Sequence, residues 1–202
     1  KITIGDGGLF NQPLRSASNS DKPYEYGSLQ HRNAIVNTPF GIYYFSIDQD
    51  KIYLYDGSIR ELDYGSLKWW LNKYCKFNIL DQFPDFNLLD NPAIGVTALA
   101  SYDNQNGIVY FHKKDYMLKG IYMTRDYKVI YNANTGLFEI SQFVNGSWVL
   151  IDQAHVDDER YFEDVSWTLS YDPKINAFIS FHDWHPEFSA GTQDTFFTIK
   201  SD

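Results

Sequence analysis

Four times along this 202-residue chain, an apolar, aromatic-rich run meets a polar turn and is answered by a second apolar run. The copies occupy residues 45–55, 100–111, 129–140 and 169–181. Aromatic and β-branched flanks suit a pleated surface, and the Asp, Asn, Gly and Pro between them accept chain reversal. Each copy therefore predicts a β-hairpin. A lone hairpin is marginal in water, so four of them must share a core. The arrangement predicts an all-β, antiparallel fold of hairpin and meander repeats, a β-propeller or partial propeller. The turns range from Asp48-Gln-Asp50 to Asp172-Pro-Lys-Ile-Asn176. They are expected to differ in length, as turns do when they only reverse the chain.

Two segments depart from the repeat. Residues 1–34, rich in Gly, Ser, Asn and Pro with scattered apolar residues, predict an extended arm. Residues 35–202 then form the propeller-like β domain, with a helix inserted at about residues 66–77. There Leu67, Trp70, Leu71 and Tyr74 recur at i, i+3, i+4 and i+7, after Ser66 or Gly65 as an N-cap. Such a face either packs on a sheet edge or docks a partner, which makes these four the candidate docking residues. Residues 79–92, with Pro84 and Pro92, read as a long loop, and Asp157–Asp164 as a solvated acidic loop.

Composition narrows the function. With 26 acidic against 17 basic residues and a net charge of −9, the chain lacks the electrostatic footprint for specific nucleic-acid binding. No apolar run approaches the roughly 18 residues of a membrane-spanning helix. The one cysteine, Cys75, lies among aromatic residues and predicts a buried, inert thiol.

The densest group of metal-ligating types is His182-Asp-Trp-His-Pro-Glu187. His182 and His185, with Asp183 and Glu187, have the chemistry for zinc. They follow a strand into a Pro-containing turn that does not force the rings together, so no metal is expected. No nucleophile elbow, phosphate loop or Cys-based metal site is present, and neither enzyme activity nor a cofactor is expected. Trp70, Trp148, Trp167 and Trp184 supply faces for sugar stacking. They keep open a glycan-binding module for host-surface recognition as the alternative to a structural protein. A carbohydrate-active enzyme with paired carboxylates is a third, weaker possibility.

Particular phrases go further. Residues 26–45, Lys51-Ile-Tyr-Leu-Tyr-Asp-Gly57, Leu67-Lys-Trp-Trp-Leu71 and residues 166–182 resemble the tail stabilisation, hub or muzzle-like proteins of crAss-like, short-tailed bacteriophages of gut Bacteroidetes. The resemblance spans most of residues 24–200 and carries no catalytic residues. It implies a virion protein of the tail, assembled in the host bacterial cytoplasm, that helps hold DNA until ejection. It further implies tail or portal-proximal virion proteins as partners within a symmetric oligomer. Proteins of that family are much longer, so it implies one segment of a longer chain.

Overall fold

The computed structural model describes residue 29 and residues 31–62, 64–87, 95–192 and 194–199. The predicted arm lies outside the described residues except for Leu29 and residues 31–34. That last stretch is docked: the Phe45 N–H donates to the Ala34 carbonyl, and the Ala100 N–H to that of Asn33.

Strands β1 (Ile35–Thr38), β2 (Gly41–Ser46), β3 (Lys51–Tyr55) and β4 (Ile59–Glu61) form an antiparallel meander in chain order. At its first turn, Gly41 has φ 126°, and a Cβ there would lie 2.5 Å from the Tyr55 carbonyl oxygen, so only glycine fits. A 3-10 turn at Gly65–Leu67 leads into α1 (Lys68–Tyr74), followed by α2 (Asn78–Gln82). The expected N-cap is absent, since Leu67 holds that position for α1 without a side-chain bond. The expected loop at 79–92 begins instead as α2, which Pro84 ends.

The next strands are β5 (Thr97–Asp103), β6 (Ile108–Lys114), β7 (Tyr116–Leu118), β8 (Tyr127–Asn132), β9 (Leu137–Val144) and β10 (Ser147–Ala154). Then come β11 (Phe162–Asp164), β12 (Trp167–Asp172), β13 (Ala177–His182), β14 (Phe188–Gly191) and β15 (Phe196–Ile199). All four predicted hairpins form, as β2–β3, β5–β6, β8–β9 and β12–β13. Their turns prove uniform rather than varied. Each pair closes on four residues, and the fourth, Asp50, Gly107, Gly136 or Asn176, has φ between 53° and 74°. Gly, Asn and Asp tolerate that left-handed conformation best, so a backbone requirement underlies the recurring turn chemistry. Three of the turns add an Asx bond, from the N–H of Gln105, Asn134 or Lys174 to Asp103, Asn132 or Asp172.

Hairpins far apart in sequence merge. β6 pairs with β12, giving a four-stranded sheet in the order β13-β12-β6-β5. β7 pairs with β11, β8–β10 form a three-stranded sheet, and β14–β15 is a separate hairpin. The fold is thus all-β and antiparallel with short helices, and its described sheets, of unequal size, do not by themselves display the blades of a propeller. β7, β11 and β14 were not expected, because three or four residues are too few to show alternation.

The first meander packs face to face on the four-stranded sheet. Tyr43 meets Tyr171 at 5.7 Å and Phe111 at 6.5 Å between ring centroids, and Phe45 meets Trp167 at 5.6 Å. Burying each such side chain contributes about 1.5–3 kcal/mol, which makes this seam a main source of cohesion.

Candidate functional site

Strand alternation at the end of β6 places unlike residues on its two faces. Val109, Phe111 and Lys113 point to the core, while Tyr110, His112 and Lys114 point the other way. Lys113 is therefore an ammonium delivered into an apolar interior. Its side chain and that of Asp115 are both 0% exposed, and the pair meets at 2.9 Å.

Burial on this scale is tolerable only if every donor and lone pair is used. Lys113 Nζ donates to the Tyr74 carbonyl at 2.7 Å and to that of Lys76, groups left open at the end of α1. Asp115 Oδ2 accepts from the backbone N–H and side-chain amide of Asn78, each at 2.8 Å, and Oδ1 accepts from the Tyr116 N–H at 2.9 Å. The cation thus closes one helix and the carboxylate opens the next, fixing the α1–α2 corner to the sheet. Asp115 is remote in sequence from the helix it caps, which is why no local signal announced α2. The detectable signal was Lys113 itself, a charge in phase with Val109 and Phe111.

On the opposite face the β14–β15 hairpin covers the sheet so closely that a Cβ on Gly191 would sit 2.0 Å from the Tyr102 carbonyl oxygen. Beneath it His112 is buried. Thr168 Oγ1 donates to the Trp184 carbonyl at 2.6 Å, so it accepts from His112 Nδ1–H at 3.0 Å. Nε2 is then the acceptor for the hydroxyls of Ser101 at 3.3 Å and Ser189 at 3.4 Å. Burial, reinforced by His185 and His182, pushes the imidazole pKa down to about 3. A base this weak, backed by a threonine instead of a carboxylate, does not activate either serine. The network is a neutral polar joint.

The joint has a pH signature. The unfolded imidazole takes up a proton below about pH 6.5 and the folded one does not, so stability falls as pH drops from 6.5 towards 3. At about 1.4 kcal/mol per pH unit, His112 alone is expected to account for a loss of about 2 kcal/mol between pH 7.5 and 5 in urea denaturation. Asp164, lowered to about 2 against its burial by bonds from His185 and Ser166, adds stability that is lost only as pH falls from its ordinary value of 3.8 towards 2. Asp50, raised by burial, acts in the opposite sense above pH 3.8. The measurement is accordingly the difference between wild type and His112→Gln, which keeps a donor and an acceptor without titrating. Equal pH slopes for the two proteins refute the assignment.

The predicted helix face is engaged within the chain. Leu71 is 1% exposed, Leu67 packs against the core, and the Trp70 ring meets Trp167 edge-on at 5.1 Å and lies tilted against Phe181 at 4.5 Å and Tyr74 at 5.2 Å. Trp69, absent from the predicted face, is 65% exposed.

His182 and His185 turn to different partners. His182 Nε2 lies 3.2 Å from Ser180 Oγ, and His185 Nδ1 lies 3.6 Å from Asp164. Among the described residues no group of three or more metal-ligating side chains converges. The acidic run is not wholly a loop: it ends in β11, and within it Arg160 clasps Asp158 at 2.7 Å. Of the four tryptophans considered for sugar stacking, Trp167 is buried, Trp70 and Trp184 pack within the chain, and Trp148 is exposed. Cys75 is buried, and burial raises its thiol pKa.

The fold and its interior polar joints together describe a scaffold, in which charge and imidazole are spent on positioning elements. Residues 24–202 match the family described as Crassvirus muzzle protein. The chain belongs to that family, which makes it a structural component of the phage virion. No curated protein and no solved structure matches it.

Proposed function

We propose that this chain is a non-catalytic module of the tail muzzle, stabilising the tail, helping to retain packaged DNA until ejection, and docking onto neighbouring tail or portal-proximal proteins. The family match over residues 24–202 carries the reading. The interior supports it. Aromatic seams on both sides of the α1–α2 corner, together with the buried Lys113–Asp115 pair, suit a part that bears load. With Leu67, Trp70, Leu71 and Tyr74 engaged by packing, docking through α1 uses the exposed Trp69 beside them.

The test is in the particle. Antibody fragments raised against the exposed turn at residues 173–176 should decorate the tail of intact virions. Particles assembled without the chain should become nuclease-sensitive at lower temperature than wild type. Label confined to the capsid, or DNA retention unchanged in its absence, overturns the proposal.

A further inference from the structure

β10 has the composition of a strand buried in the middle of a sheet and the position of a strand at its edge. The order β10-β9-β8 leaves one long side of β10 without a partner strand among the described residues. Yet Trp148, Val149, Leu150 and Ile151 run consecutively, each between 45% and 53% exposed. Continuous apolar runs belong to strands covered on both faces, whereas edge strands are usually guarded by Lys, Pro or early bulges. None of these guards Ser147–Leu150, where the register is regular; the bulge comes only between Leu150 and Asp152.

The hairpin turn fixes which backbone groups are open. Asn145 and Gly146 both have positive φ, 51° and 84°, the two-residue turn that matches strand twist. In such a hairpin the flanking pair, Ser147 and Val144, bonds across the strands, so Trp148 and Leu150 direct their N–H and C=O groups to the open edge. The Phe143 N–H, opposite Trp148, accordingly donates away from β10, to the Asp126 carbonyl.

We propose that β10 pairs antiparallel with β10 of a second copy of this chain about a two-fold axis at Val149. In that register Trp148 exchanges both backbone bonds with Leu150 of the other copy, and the two Val149 side chains meet in the close, non-bonded position. The strand is self-complementary when reversed: apolar residues face apolar ones, and Ser147 faces Ile151. The only charge in β10, Asp152, lies beyond the bulge, held by Tyr161 and Arg160 at 2.8 Å.

Pairing across the open edge sets Trp148 and Leu150 of one copy beside those of the other on one face of the joined sheet, with the two Val149 side chains on the opposite face. Each copy carries a net charge of −9, so two copies repel at long range and meet with least penalty along residues 147–151, which carry no charge. Self-association is thus expected to strengthen with added salt. This inference rests on β10 alone and stands or falls independently of the virion role.

Analytical ultracentrifugation of the full chain should show a monomer–dimer equilibrium. Val149→Lys, which sets two ammonium groups face to face at the axis, should weaken it at least tenfold with unchanged circular dichroism. Val149→Cys should form a disulfide-linked dimer under mild oxidation, because non-bonded antiparallel positions lie about 4.5 Å apart between Cα atoms. Lys128→Cys, on the far strand of the same sheet, should not. A wild type that is monomeric at about 1 mM overturns the proposal, as do dimers that survive Val149→Lys or cross-linking no faster than the control. Pairing of β10 only with a strand of a different protein overturns it as well.

Discussion

Asp115→Ala is expected to destabilise the chain by about 3–5 kcal/mol, the cost of leaving a buried charge without its partner. Lys113 then keeps its two carbonyl contacts but has no counter-charge in a fully enclosed site, and the first amides of α2 lose their acceptor. Both losses fall on one corner, so α2 and the segment that follows it should loosen first. For a chain of about 200 residues the loss corresponds to a fall in Tm on the order of 10 °C. Urea denaturation at neutral pH checks it, with amide exchange at Asn78 and Ile79 reporting locality. The double variant Lys113→Met with Asp115→Leu separates charge from packing. It removes both ions together and should recover part of the stability, because the penalty lies in the orphaned charge and not in the absence of the pair. An Asp115→Ala protein within about 0.5 kcal/mol of wild type, the range of an ordinary surface substitution, contradicts the account.

How much of this was legible depended on whether cause and consequence lay near each other along the chain. The four hairpins were readable because a left-handed residue at the end of each turn and alternation on either side are local requirements. Turn length was not, since Asp48-Gln-Asp50 hides Ile47 as the first turn residue inside an apolar run. The helix at Lys68–Tyr74 followed from its spacing, but the role of its apolar face depended on Phe181 and Trp167, about 100 residues away. α2 depended on Asp115, and β7 needed β11. In each case a short element is made by a distant partner, and no local periodicity records it. His182 and His185 show the converse: proximity in sequence, and separate partners in space.

The joint between the three-stranded sheet and the rest of the fold has a similarly concentrated weakness. Phe138 is fully buried, and its ring meets Phe162 at 4.7 Å, Phe83 at 4.9 Å, Tyr131 at 5.1 Å and Phe86 at 5.7 Å. One side chain thereby ties β9 to β11, to β8 and to the segment after α2. Phe138→Ala removes the ring from the centre of this cluster and is expected to cost about 3–5 kcal/mol, a transfer loss plus a cavity that four surrounding rings cannot collapse to fill. Phe138→Leu keeps most of the volume and should cost less than half as much. Denaturation by urea measures both, and near-equal losses would mean that ring geometry, not filled space, holds the joint. Because the sheet that carries β10 hangs from this cluster, any force applied at the open edge reaches the four-stranded sheet through Phe138 and its neighbours. Phe138→Ala should accordingly raise amide exchange throughout β8–β10 before it does so in β5–β6, and uniform exchange across both sheets would show that the load path runs elsewhere.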